Sequence, residues 1–284
     1  MTQAWTIGSL LQWTKQYFRD KGVENPRLDA DVLLSSLLGK DRVYLYVHFD
    51  QPMEQEELAA FREMVRRRAA REPVAYIIGH REFMGLDFRV SPAVLIPRPD
   101  TEVLVEAAIA RLNGLRDGLI LDVGTGSGAI LIGTLSRVAD CRGLGVDVSP
   151  TALAVARENA TRLLAPGRAD FAQADLFPVE PMLFDAILSN PPYVTSAEMV
   201  ELAPEVRREP ELALHGGADG LAFYRRLTEG GGRHLKPGGF MALEVGAGQA
   251  AAVADLGRAA GWRTEAVIPD YAGIERVVVL RREE

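Results

Sequence analysis

Cysteine is almost absent from this chain. The single thiol, Cys141, rules out an intrachain disulfide and leaves no paired-cysteine metal motif, a usage that fits a reducing compartment. Histidine is scarce as well: His48, His80, His215 and His234 are scattered along the chain, so neither a zinc centre nor any other metal is expected. No apolar run approaches the ~18 residues of a membrane span, and the start, Met1-Thr-Gln-Ala-Trp5, lacks the basic and apolar regions of a secretory leader. A membrane partner is therefore not expected, and a cytoplasmic location is. Positive charge is not in excess either, with 32 Lys and Arg against 39 Asp and Glu. Residues 1–90 hold 13 of each sign, so the whole net charge of −7 falls on the remainder. An acidic larger part argues against tight duplex binding, which depends on neutralising phosphates, and no stable nucleic-acid complex is expected.

What is present is enough for a full core. With 284 residues and 48% hydrophobic side chains, the chain can bury one large domain plus a smaller one. Residues 1–75 read as helices. Ile7, Leu10, Leu11, Thr14, Tyr17 and Phe18 recur at helical spacing up to Lys21-Gly22, and Asn25-Pro26 opens a second helix that Gly39 ends. A third runs from Glu54 to Arg71 and carries Arg62, Arg66, Arg67, Arg68 and Arg71, either a solvated face or a docking patch. Residues 76–95 alternate on both sides of Gly85, which predicts a β-hairpin linker. From 96 to 284 strands alternate with helices, the pattern of an α/β domain with a doubly wound, mainly parallel sheet and one antiparallel strand at its end.

Four strand ends in that domain carry chemistry. The apolar run Leu119 to Val123 enters Gly124-Thr125-Gly126-Ser127-Gly128 and an apolar helix leaves it, so backbone N–H groups are open to a ligand. The GxGxG spacing is neither that of typical dinucleotide folds nor that of a phosphate loop, although a nicotinamide site stays open on this loop alone. A second strand ends at Asp147, placed to accept both hydroxyls of a ribose, and a third leads into Asp175-Leu176-Phe177, where an acid and apolar side chains suit an adenine ring. Together the acids favour an adenosine ligand. A fourth strand, Phe184 to Leu188, stops at Ser189-Asn190-Pro191-Pro192-Tyr193. Two prolines make this a rigid corner, rich in acceptors because proline keeps its carbonyl and lacks an N–H, and it suits a substrate that presents an NH2 group. Tyr193 adds a flat ring on which a planar group can lie. Upstream, Arg98 and Glu102 flank the site as secondary substrate-binding candidates, a local ion pair being the alternative. The polar stretch Glu198 to Asp219 is long enough to act as a lid.

The combination of Leu95-Ile-Pro-Arg-Pro99, Asp122-Val-Gly-Thr-Gly-Ser-Gly128, Asp147, Asn159-Ala160, Ser189-Asn-Pro-Pro-Tyr193 and Gly216-Gly-Ala-Asp-Gly220 resembles the HemK/PrmC family over nearly the whole chain. That resemblance implies a seven-stranded Rossmann-like methyltransferase sheet with a small N-terminal substrate-docking domain. It also implies methyl transfer from S-adenosyl-L-methionine, leaving S-adenosyl-L-homocysteine, to the N5 amide of the glutamine in the Gly-Gly-Gln motif of class 1 peptide chain release factors. By position, Gly124, Thr125, Gly126, Ser127 and Gly128 would line the methionine part of the cofactor, Asp147 would hold the ribose, Asp175 and Leu176 would meet the adenine, and Asn190 would lie between cofactor and substrate. Asn190, Pro191, Pro192 and Tyr193 would hold the glutamine. Two positions depart from the family pattern: Asp100, where Glu is more usual, and Leu176, where some members place an aromatic ring. An Asn-Pro-Pro-Tyr corner equally suits an exocyclic amine of adenine or guanine, so a nucleic-acid base methyltransferase is the main alternative. A non-catalytic adenosine-binding module and an NAD-dependent oxidoreductase are more distant ones, against which the loop spacing and the Asn190 corner both count.

Overall fold

The structure, a computed structural model, describes residues 5–180 and 182–282; Met1 to Ala4, where a leader pattern was found lacking, lie outside the described residues, as do Pro181, Glu283 and Glu284. The chain forms two compact units. One holds the residues up to His80 together with Ala203–Arg208, the other Arg81–Leu202 and the residues from Glu209 onward.

The first unit is helical: α1 (Ile7–Asp20), α2 (Pro26–Leu38), α3 (Arg42–Val47), α4 (Gln55–Ala69) and α5 (Val74–Ile78). Its boundaries follow local chemistry. The Thr6 hydroxyl accepts from the Ser9 amide and the Ser9 hydroxyl accepts from the Thr6 amide, a reciprocal cap on α1. Pro26 takes the first turn of α2, where a missing N–H costs nothing, and Gly39 closes it in the left-handed region at φ 61°. Ile7, Leu11, Phe18, Leu33, Leu34 and Leu45 are fully buried between these helices. Residues 74–78, which the alternation assigns to the approach of the hairpin, form a single helical turn instead, because Pro73 presets the backbone at its start and Gly79, at φ 80°, stops it. The arginines of α4 and of the turn after it divide: Arg62 and Arg66 are exposed, as a solvated face with Glu partners predicts, while Arg67, Arg68 and Arg71 are drawn into ion pairs of the unit. Arg66 pairs with Glu63 at 2.6 Å and Arg67 with Glu72 at 2.5 Å. Arg68 is buried between Asp29 at 2.6 Å and Glu205 at 2.9 Å, and Arg71 reaches the same Glu205 at 3.0 Å.

The second unit begins at the hairpin of β1 (His80–Phe83) and β2 (Leu86–Arg89). Met84 and Gly85 turn it with φ 55° and 76°, the paired positive φ values of a tight hairpin, and the Met84 amide is held by a Glu102 carboxylate oxygen at 2.8 Å. The seven-stranded sheet follows, built from β3 (Gly118–Val123), β4 (Cys141–Asp147), β5 (Ala169–Gln173), β6 (Phe184–Ser189), β7 (Leu235–Glu244), β8 (Trp262–Pro269) and β9 (Glu275–Arg282) in the order 5-4-3-6-7-9-8. Every pair from β5 to β7 is parallel, and β9 runs antiparallel to both β7 and β8. The reversed strand is thus next to last in the sheet, not at its end. The Asp270 carboxylate accepts from the Ala272 and Ile274 amides at 2.8 and 2.9 Å, tying the tight β8–β9 turn that folds β9 back inside β8. The β7 strand also starts earlier than its apolar run predicts, at Leu235, with a register shift opposite Phe184 and Ala186 that absorbs Pro237 and Gly238.

Helices α6 (Thr101–Leu112), α7 (Ala129–Leu135), α8 (Pro150–Leu163), α9 (Ala222–Gly231) and α10 (Ala250–Ala259) cover the sheet. Leu104, Ala108, Ile132 and Leu131 fill one core and Tyr224, Leu227 and Val253 the other, all essentially without exposure. Each buried leucine contributes on the order of 2 kcal/mol from water-excluded area alone. The chain runs from β3 outward to β4 and β5 and then returns to lay β6 on the other side of β3. That reversal is the switch point at which α/β sheets bind ligands. Val123 pairs with both Val146 and Ser189, so Gly124, Asp147 and Asn190 leave three neighbouring strands at one level. The Ser189 hydroxyl, donating to the Val123 carbonyl at 2.7 Å, locks the two central strands there.

Candidate active site

The glycine loop is built around Asp147. Its Oδ2 accepts from the Gly126 amide at 3.0 Å and its Oδ1 from the Ser149 amide at 2.9 Å. Gly126 presents that amide at φ 55°, a conformation that side chains resist. Both carboxylate oxygens keep lone pairs for further donors. A cavity of about 400 Å³ opens here, with Gly124, Gly126, Asp147, Asp175 and Leu176 toward one end and Asn190, Pro191 and Pro192 toward the other. Pro210, Leu212 and Ala213 add to its wall, so part of the polar stretch after Tyr193 does border the site. Leu176 holds φ 70°, which costs a residue with a side chain about 1 kcal/mol or more and turns the chain sharply at the cavity. Asp175 also lines the cavity, with its Oδ2 taken by Arg226 at 2.8 Å.

Thr125, Ser127 and Gly128 do not line this cavity; they shape the loop from beneath. The Thr125 hydroxyl donates to Asp122 Oδ2 at 2.6 Å in the interior, and burial pushes the Asp122 carboxyl up to about 7. The Ser127 carbonyl accepts from Asn159 Nδ2 at 2.9 Å, and Gly128 ends the loop at φ 82°. Asn159 also exchanges bonds with the backbone of Arg89, accepting from its amide at 2.8 Å and donating to its carbonyl at 3.0 Å, so one buried amide ties the loop to β2.

At the other end, Asn190 Nδ2 donates to Thr101 Oγ1 at 3.3 Å. No donor among the described residues bonds to Asn190 Oδ1 or to the Pro191 carbonyl. Asn190 and Pro191 both line the cavity, and these two acceptors have no donor among the described residues. The corner itself is held rigidly: Gln249 Nε2 donates to the Tyr193 carbonyl at 3.1 Å, and Gly216 lies so close that a Cβ there would stand 2.7 Å from the Pro192 carbonyl oxygen. The Tyr193 ring packs inward near Gly246 and does not line the cavity, and burial raises its phenol above the usual range. Arg98 and Glu102 do not meet each other. Arg98 is paired with Glu209, whose other oxygen accepts from the Ile96 amide at 3.0 Å, while Glu102 holds the hairpin turn. Neither lines the cavity. Among the described residues no group of three or more His, Cys, Asp or Glu side chains could hold a metal ion.

Glu244 and Gln249 carried no role in the sequence reading; Thr101 entered it only as a possible cap of the helix it opens and Asn159 only within the Asn159-Ala160 motif, while Glu244 had a visible signal as a lone charge ending the apolar run Phe240 to Leu243.

Residues 9–79 match the family model described as the PrmC N-terminal domain, and residues 99–217 match the methyltransferase small domain. The release factor glutamine methyltransferase of Geobacter sulfurreducens is 47% identical across 97% of this chain and 96% of its own length, and that of Moorella thermoacetica 46% identical across 93% and 94%. The chain belongs to this family. Its fold is that of methyltransferases more widely: the hMettl16 catalytic domain matches with a TM-score of 0.59 at 13% identity over 81% of this chain and 83% of its own, and a methyltransferase from Pyrococcus furiosus with 0.50 at 20% identity over 69% and 88%. Release factor glutamine methyltransferases use S-adenosylmethionine, and the residues here fit it. Asp147 is a carboxylate with free lone pairs at a strand tip, Gly124 and Gly126 allow close approach, and the cavity is largely apolar beyond them.

Proposed function

We propose that the glutamine side chain of the Gly-Gly-Gln motif of class 1 peptide chain release factors enters the Asn190 end of the cavity, while Gly124, Gly126, Asp147, Asp175 and Leu176 bind the cofactor at the other. One observation carries this reading: Asn190 Oδ1 and the Pro191 carbonyl are rigidly placed acceptors without donors among the described residues, one strand away from the glycine loop. When bound, S-adenosylmethionine supplies an electrophilic sulfonium methyl. The amide nitrogen that must attack it is a poor nucleophile, since its lone pair is delocalised into the carbonyl. Asn190 Oδ1 and the Pro191 carbonyl each accept one N–H of that amide, which aims the lone pair at the methyl and stabilises the positive charge growing on nitrogen. No strong base is needed, because the nitrogen becomes acidic as it is alkylated and releases its proton to an adjacent acceptor or water.

The first unit serves as the docking domain for the body of the release factor. Several of its arginines are held in ion pairs, and its exposed apolar surface includes two tryptophans, Trp5 and Trp13, 41% and 48% exposed. With Tyr17, stacked on Trp13 at 5.1 Å, and Arg62 they border a groove of about 320 Å³. A substrate from the translation machinery places the enzyme in the cytoplasm, and the acidic second unit makes no stable nucleic-acid complex. Methylation of the intact factor and of a short Gly-Gly-Gln peptide, by the wild type and by Trp13→Ala, tests this reading. Both substrates gain a methyl on the glutamine, and Trp13→Ala raises KM about tenfold for the intact factor alone. An unchanged KM for the factor would remove the docking role; methyl on any other residue would remove the substrate assignment.

A further inference from the structure

Two wall segments far apart in the chain border the cavity at its Asn190 end. One is Ala93, Val94 and Leu95, the other Pro210, Leu212 and Ala213. Backbone bonds place both near the corner. The Val194 amide, one residue past Tyr193, donates to the Leu214 carbonyl at 2.9 Å, which seats the second segment beside the corner. The first continues through Ile96-Pro97-Arg98, and the Arg98 carbonyl accepts from the amide of Thr101, the residue whose hydroxyl Asn190 Nδ2 reaches.

Glu209 joins the two. It directly precedes Pro210, and both its carboxylate oxygens are spent on the continuation of the first segment: Oε2 accepts from the Ile96 amide at 3.0 Å, and Oε1 pairs with the Arg98 guanidinium. Its side chain is 2% exposed, so the carboxylate has given up water for these donors, and bonds to an ionised acceptor are stronger than neutral ones. A leucine would fill this space without desolvating a charge. It would not, however, fix where Pro210 stands relative to Ile96. Both partners lie within three residues, and Pro97 and Pro99 stiffen the stretch that carries them. All six wall residues are apolar, and Leu212, 74% exposed, forms part of the rim.

We propose that Glu209 is a positioning residue for the substrate: by clamping one wall to the other it sets an apolar slot beside Asn190 that takes the residue before the glutamine only when that residue carries no side chain. The proposal rests on Asn190 receiving the glutamine. With the amide anchored on Asn190 and Pro191, the preceding residue passes between the walls, and a clamped slot does not widen for a methyl group. Arg98 acts through Glu209 and touches no substrate.

Steady-state methylation of two release factors, one with Gly-Gly-Gln and one with Gly-Ala-Gln in its place, by the wild type, Glu209→Ala, Arg98→Met and Arg98→Lys decides this. Cofactor Kd is measured in parallel by calorimetry. The wild type prefers Gly-Gly-Gln by about a hundredfold in kcat/KM, the order of discrimination a fixed apolar site draws from one methyl group. In Glu209→Ala and Arg98→Met, kcat/KM for Gly-Gly-Gln falls about ten- to a hundredfold, mostly through KM, while the cofactor Kd stays within about twofold. The preference for glycine shrinks in both to below about tenfold. Arg98→Lys keeps the charge and recovers each quantity to within about threefold of the wild type. Should Glu209→Ala not fold, Arg98→Met gives the answer, because its site is 34% exposed and the Glu209 bond to Ile96 survives. Equal methylation of the two factors by the wild type, an undiminished preference in the folded variants, or losses as heavy in cofactor affinity as in kcat/KM would overturn the proposal. A wild-type chain that methylates neither factor would instead defeat the substrate reading on which it rests.

Discussion

Asn190→Ala lowers kcat by about a hundred- to a thousandfold while changing the cofactor Kd by less than about fivefold. The size follows from the role: an acceptor aimed at charge that develops only during methyl transfer is worth about 2.7–4 kcal/mol of transition-state stabilisation, and such a loss falls on turnover and not on ground-state binding. The structure gives the residue no second task of that weight. Among the described residues its only side-chain bond is to Thr101 at 3.3 Å, and the strand junction beside it is held independently by the Ser189 hydroxyl. Rapid-quench turnover at saturating cofactor, together with titration calorimetry of cofactor binding, separates the two quantities. Equal losses in kcat and affinity would make Asn190 a cofactor or folding residue.

Asp147→Ala has the opposite profile. Its carboxylate organises the loop through Gly126 and Ser149 and keeps lone pairs for ribose hydroxyls, so the variant loses charged hydrogen bonds worth about 1.5–3 kcal/mol each. The cofactor Kd rises a hundredfold or more, whereas kcat at saturating cofactor falls by less than about tenfold. Asp147→Asn retains part of the geometry and falls between. Calorimetry against S-adenosylmethionine and S-adenosylhomocysteine measures the change, and a Kd within threefold of the wild type would remove Asp147 from the cofactor site.

Where sequence reasoning reached this site, it did so through features that are local in the chain. An apolar run that stops at Asn-Pro-Pro leaves its asparagine at a strand end in any sheet, and a strand that enters Gly-x-Gly-x-Gly exposes backbone amides wherever it lies. Which residues of such a loop face outward is not local. Thr125 and Ser127 turn inward because Asp122 and Asn159 wait there, and those partners come from a strand interior and from the far end of α8. Arg98 and Glu102 are spaced like a helical ion pair, yet α6 begins at Thr101, so Arg98 precedes the helix and pairs with Glu209. The Tyr193 ring turns inward because Gly246 leaves room for it, a vacancy set by the end of a strand more than fifty residues later. The Glu244 position depends on the register of β7 against β6, which no stretch of either strand encodes alone. The β9 strand between β7 and β8 has the same character: both closing strands are visible as apolar runs, but their order in the sheet is set by a turn closed through Asp270.

The central claim is that a glutamine amide of a release factor, and not a nucleic-acid base, receives the methyl group at Asn190. Transfer from labelled S-adenosylmethionine into a purified class 1 release factor, beside the same factor with Gln→Ala in its Gly-Gly-Gln motif and beside total tRNA and rRNA, tests it most directly. The predicted result is label in the intact factor alone. Label in the RNA, with none in the protein, would contradict it and assign the same acceptor corner to an exocyclic amine.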